Sequence, residues 1–359
     1  MRRSSWLGLT VFYMLANSYD KQYNEYILYF TKGGVFMSED FTDKIIIDAV
    51  RDVLKDKIKD GMSEKEMDEF FSKESFGKKY ADIINMIADD SVKTIEAIMF
   101  EKVLEERANT DEFIARQNQK WGKAFVASEA MYICILESAE EYNEFVSERY
   151  KDEKSYLYLV LRYIHGRAMQ IYLEILCLNK NGFADAAYAR WRSLYELSIT
   201  SAFIKRYGEV VAKAFLQSAD TEDRYEWARQ ADCFKNSKAK YIKFADIQKN
   251  CELATVEWKK EYTFVNQLVH ASPQGTMYRL GSKTNDVLLV GRSDWGMSIS
   301  AMHSAISLAQ ITSDFFSVFH HGDSLAALLT FHKWVEKIVA YYKEVEVNCF
   351  DDEENATEE

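Results

Sequence analysis

A single proline stands among 359 residues, at Pro273. Proline removes a backbone donor and disfavours helical geometry at the residue before it, so a chain that avoids it is free to be helical almost throughout. The one exception therefore locates a helix end, in Tyr262-Thr-Phe-Val-Asn266-Gln-Leu-Val-His270-Ala-Ser272-Pro273. Apolar residues recur at three- and four-residue intervals nearly everywhere after Asp40, the period of amphipathic helices. The fold class that follows is all-α, a multi-helix bundle with antiparallel neighbours because the connections are short.

The pattern predicts a first helix ending at Gly61 and a second opened by the capping-box pair Ser63 and Glu66. Further helices are predicted over about 78–107, 111–148, 155–179, 183–206, 209–233, 238–249 and 255–271. Gly182, Gly208 and Asn236-Ser237 supply the breaks. Beyond Pro273, Thr276–Leu280 and Asp286–Val290 are short alternating or β-branched runs about Gly281-Ser282, the signal of a small hairpin over 276–290. A loop at 291–296 leads to two long helices, about 297–319 and 324–346, split by His320-His321-Gly322.

The charged run Asp152-Glu153-Lys154 is the best domain boundary, dividing an N-terminal helical region (37–152) from a more apolar C-terminal bundle (153–347). Residues 348–359 form an acidic tail expected to be disordered. In 1–36, Arg2 and Arg3 precede an apolar run from Trp6 to Ala16, signal-like in layout but too short to span a membrane. Met37-Ser38-Glu39-Asp40 reads equally as a start, and 1–36 then becomes an upstream extension.

Hydrophobic residues make up 48%, enough for a sizeable core. The net charge is −12, half of it from the six acidic residues of the tail. Such a balance disfavours broad nucleic-acid binding, which depends on neutralising phosphates. Five scattered cysteines, none in CxxC spacing, read as buried free thiols in a cytoplasmic protein rather than a disulfide framework or a zinc site. No metal, cofactor or membrane-span motif occurs.

Two polar stripes cross this apolar chain. On the helix 183–206, Tyr188, Arg192 and Glu196 fall at i, i+4 and i+8; on the helix before Pro273, Tyr262, Asn266 and His270 repeat the spacing. Facing one another, they would gather Arg192, Glu196, Asn266 and His270 into one cluster, with Tyr188, Tyr262 and Ser272 as ligand contacts. A buried charge is costly unless paired, so the bland reading is a structural network that fixes helix register. The functional reading makes His270 a general acid/base and Arg192 the holder of a phosphate or developing negative charge. Arg162-x-x-His165-Gly166-Arg167 reads as a basic cluster on a solvated helix face. Lys235, Lys238, Lys240 and Lys243 with Phe234 and Tyr241 form a basic-aromatic stretch that offers an RNA contact or a solvated surface helix.

The Arg192-x-x-x-Glu196 helix, then Tyr262-x-x-x-Asn266-x-x-x-His270, a short polar loop and two long helices, resembles a bacterial domain-of-unknown-function family numbered 5677, over about 155–345. That resemblance implies an all-helical fold and no established reaction. A looser similarity is to the HEPN ribonucleases of toxin and phage-defence systems, helical bundles that cut RNA without a metal through Arg-x4–6-His. The chain departs from that motif, because Thr263, Phe264 and Val265 occupy the positions five to seven residues before His270. A metal-independent endoribonuclease would have to take its arginine from another helix, such as Arg192.

Three readings follow. The first is a cytoplasmic helical protein whose cluster binds a ligand or partner, in a stress or phage-defence role. The second is a ribonuclease built on His270 and Arg192. The third is a purely structural interaction module, in one form a homo-oligomer.

Overall fold

The computed structural model describes residues 74–282 and 288–356. Among these the chain forms nine α-helices: α1 (Glu74–Arg149), α2 (Tyr156–Lys180), α3 (Ala184–Tyr207), α4 (Glu209–Gln217), α5 (Phe244–Lys249), α6 (Val256–Val269), α7 (Pro273–Met277), α8 (Met297–Phe316) and α9 (Gly322–Ala356). Two 3-10 turns, Glu226–Gln230 and Asp232–Phe234, lie between α4 and α5. The fold is all-α. The two helices expected before Ser72 lie outside the described residues.

The chain divides into two compact units at Asp111 and Glu112. In the first, Val92, Ile95, Met99, Phe100, Val103 and Leu104 are exposed along α1. The second unit holds the core. There α3 packs on α2, α6 and α8, and α8 packs in addition on α2 and α9. Ala184, Ala187, Tyr188, Trp191, Leu194, Tyr195 and Ile199 form the buried face of α3, the three-to-four spacing that the sequence displays. Small residues let α8 come close: Ser300, Ala301, Ser304 and Ala305 are buried. Their hydroxyls are satisfied locally, Ser304 donating to the Ala301 carbonyl at 2.8 Å and Ser300 to the Met297 carbonyl at 3.0 Å.

The helix ends follow from local chemistry. Ser155 caps α2 by accepting from the Tyr158 amide at 3.1 Å. The Glu209 carboxylate, from the first turn of α4, takes the Tyr156 amide at 2.8 Å as well, so two otherwise orphaned donors are met. Gly182 ends the turn after α2 at φ +76°, and its carbonyl accepts from the Ser293 amide at 3.0 Å. A Cβ there would stand 2.6 Å from both the Phe113 ring and the Ser293 carbonyl oxygen.

Several expectations are corrected. The helix predicted over 209–233 stops at Gln217. Polar side chains beyond it bond the local backbone instead: Ser218 donates to the Phe215 carbonyl at 2.8 Å, and Asp223 accepts from the Tyr225 amide at 3.2 Å. Residues 238–243 are irregular, and the helix begins only at Phe244. No strand occurs at 276–290 among the described residues; Asp286 and Val287 lie outside them. Thr276 and Met277, the start of that expected hairpin, belong to α7, which Ser272 caps by accepting from the Gly275 amide, with Pro273 in the first turn where its missing donor costs nothing. Pro273 thus opens a helix, and α6 has already ended at Val269. The acidic tail continues α9 as far as Ala356, since no Gly or Pro interrupts the pattern after Gly322. Of the cysteines, Cys251 is buried but Cys134, Cys177 and Cys233 are exposed.

Candidate functional site

Glu196 is the centre of the polar cluster. Its side chain is 16% exposed, and three donors converge on it. The Tyr262 hydroxyl donates to Oε1 at 2.7 Å, Arg192 reaches the same oxygen at 3.2 Å, and Arg224 reaches Oε2 at 3.4 Å. Arg192 and Glu196 stand one turn apart on α3, while Tyr262 comes from the facing α6, so packing of α6 on α3 assembles the group. The Arg192 guanidinium also sits 5.6 Å from the Tyr262 ring centroid.

The electrostatics are mutually reinforcing. Burial, then the hydrogen bond to Glu196, pushes the Tyr262 hydroxyl up to about 12, so it remains a donor at any ordinary pH. Burial works against the Arg192 charge, but the Tyr262 and Glu196 oxygens outweigh it and hold the guanidinium above its ordinary value. Two atoms of the cluster are buried without a hydrogen-bond partner among the described residues: the Arg192 Nε donor and the Asn266 Oδ1 acceptor.

The remaining candidates fall elsewhere. Tyr188 is fully buried and donates to Glu261 Oε2 at 2.5 Å, not to Arg192 or Glu196. Burial, followed by Glu261, drives its hydroxyl well above the usual phenol range. Its ring stacks on Trp191 at 5.0 Å, beside the ring of His303. His270 is exposed just past the end of α6, where ψ has turned to 148°, and no hydrogen bond or ion pair joins it to Arg192. Ser272 spends its hydroxyl on capping α7 and on the Gln267 carbonyl. The structure therefore gathers Arg192, Glu196 and Tyr262, keeps Asn266 half-buried on α6, and leaves His270 apart.

The cluster opens on a cleft of about 570 Å³ between α2, α3, α4 and the segment 218–227. Glu196 and Arg224 line it, joined by Arg167, Arg190 and Asp223. Arg190 and Arg167 both pair with Glu174. Sequence reasoning missed Arg224, because periodicity placed it within a helix over 209–233 whereas the chain is irregular there. Arg190 belongs to neither polar stripe, and its side chain is only 25% exposed. Glu261, the partner of Tyr188, directly precedes Tyr262 and belongs to neither polar stripe.

Fold and site together define an all-helical protein with a charged cleft set between helices. Within it, residues 158–261 match the model of a family of unknown function, DUF5677. The match runs from α2 into the first half of α6; it contains Arg192, Glu196 and Arg224 and ends one residue before Tyr262. No curated protein and no solved structure matches the chain. No helix of the described residues is long and apolar enough to cross a membrane.

Proposed function

We propose that the chain binds a small anionic ligand, carrying a phosphate or carboxylate group, in the cleft beside Glu196. The supporting observation is the convergence of Arg167, Arg190 and Arg224 on a cleft of about 570 Å³ whose carboxylate, Glu196, already has three donors. A guanidinium presents a planar fork of donors suited to such oxygens, and Arg224, 72% exposed, is free to turn from Glu196 to an incoming group. Phe215, Tyr225 and Trp227 supply apolar wall for the rest of the ligand. In this reading Glu196 positions arginines and is no acid or base.

The test is a thermal melt with pyrophosphate against sodium chloride of equal ionic strength. Pyrophosphate is expected to raise Tm, and Arg224→Ala to abolish most of the rise without altering the unliganded Tm by more than a degree or two. Equal melting in both salts overturns the reading. The ribonuclease alternative needs His270 beside Arg192, and no contact in the structure favours it. A cytoplasmic, phage-defence setting belongs to the same proposal: expression in a phage-challenged host is expected to lower plaque counts, and unchanged counts remove that role.

A further inference from the structure

A second cleft, of about 380 Å³, lies between α2 and the 132–143 stretch of α1, and the charged cluster has no part in it. Its walls are largely apolar, with Leu136, Met169, Leu173 and the Phe315 ring among them. His165 lines it and is 4% exposed. This corrects the expectation of a solvated basic face, for position 165 shares the buried face of α2 with Leu161, Ala168 and Tyr172, while Arg162 and Arg167 point outward.

Donor counting assigns one tautomer to that imidazole. Thr312 donates to the Leu308 carbonyl at 2.9 Å. With that proton spent, its oxygen, 3.2 Å from His165 Nε2, is left to accept, and the assignment puts the ring proton on Nε2. Burial holds the ring well below the ordinary histidine value, leaving it neutral. Nδ1 is therefore a bare acceptor, and it has no hydrogen-bond partner among the described residues. Two other acceptors of the cleft are engaged: Asn143 Oδ1 accepts from the Tyr158 hydroxyl at 2.6 Å, and Gln170 Oε1 from Arg167 at 2.6 Å. Arg162 and Glu140 stand exposed at the rim with opposite charges, which favours an uncharged occupant. The edge of the cleft is open at Gly166, an exposed position where a built Cβ would meet nothing within 4 Å.

We propose that this cleft binds a small, uncharged aromatic molecule that donates one hydrogen bond to Nδ1 of His165. Mostly apolar walls with one deep acceptor are the usual make-up of such a site: the walls take the ring and the acceptor sets its orientation. A ligand without the donor would leave Nδ1 desolvated and unpaired, and the site would discriminate against it.

Indole and 1-methylindole provide the test, because a single methyl group on the nitrogen removes the donor. Titrated into the full chain by calorimetry, indole is expected to bind about tenfold or more tightly than 1-methylindole. His165→Phe is expected to erase that preference, and Gly166→Leu, which fills the cleft from an exposed helical position, to abolish binding of both. Equal affinities, no binding of indole up to its solubility, or undiminished binding by Gly166→Leu each overturn the proposal. Should His165→Phe fail to fold, the nitrogen-15 resonance of His165 Nδ1 in the unaltered protein decides. It is expected to move upfield as indole saturates, and a stationary resonance overturns the assignment.

Discussion

On one side of α2, through Arg167 and Ile171, lies the cleft where the Glu196 carboxylate gathers donors from α3, from α6 and from the irregular segment after α4. On the other side, through His165 and Met169, lies the cleft where an imidazole is kept neutral by burial and given one partner. The difference follows from desolvation. A half-buried carboxylate costs several kcal/mol unless donors surround it, so its site must be polar and recruited from several elements. A histidine escapes most of that cost by losing its proton, and its site can stay apolar. The first cleft is therefore suited to charge and the second to shape with a single directed acceptor.

The largest expected effect belongs to the apolar side. Phe315 is 1% exposed and packs on Tyr142, Tyr158 and His165. Phe315→Ala is expected to cost about 3–5 kcal/mol in urea unfolding; a loss under ~1 kcal/mol would mean that the floor of the second cleft is not part of the core.

Next comes acid. The His165 value falls from 6.5 to about 4 in the fold, so the neutral ring contributes stability that is fully present above pH 6.5 and lost as pH falls through 4, about 3 kcal/mol in all. His303, also lowered by burial, acts in the same sense. Asp314 acts oppositely: burial raises it from 3.8 to about 6, so its contribution is present below 3.8 and lost as pH rises through 6. Stability measured from pH 7 to 4 in the unaltered chain and in His165→Gln separates the first from the rest, and parallel curves would contradict the buried neutral histidine.

On the charged side the effects are smaller, because water shares the load. Glu196→Ala is expected to cost about 1–2 kcal/mol, by depriving Arg192 and the Tyr262 hydroxyl of their acceptor. A double-mutant cycle with Tyr262→Phe checks this, and a coupling near zero would break the cluster into unrelated contacts. Arg224→Ala comes last, at under about 1 kcal/mol and shrinking with added salt. A salt-independent loss of 2 kcal/mol or more would show that Arg224 is a structural strut and not a mobile ligand contact.

What the sequence made legible was whatever depends on one helix at a time. The α3 stripe placed Arg192 and Glu196 together and the α6 stripe aligned Tyr262 with Asn266, because spacing alone puts such residues on one face, but which α6 residue meets Glu196 was not legible. His270 failed to join them because α6 ends one residue earlier and the backbone turns extended, a boundary that periodicity cannot fix to a single residue. Arg224 was illegible because its position depends on turns held by Ser218 and Asp223 rather than on any repeat. The neutral tautomer of His165 lay further out of reach. It depends on Thr312, 147 positions away, and on where that hydroxyl spends its proton.

Gly182 carries a consequence for how this chain can vary. Its positive φ would already strain any side chain, and two separate neighbours, a ring from α1 and a carbonyl from the segment before α8, occupy the space a Cβ would need. A lineage that replaced this glycine would have to repair its own turn and two distant stretches of sequence in concert. Single-step drift at position 182 is therefore closed, even though the turn lines neither cleft.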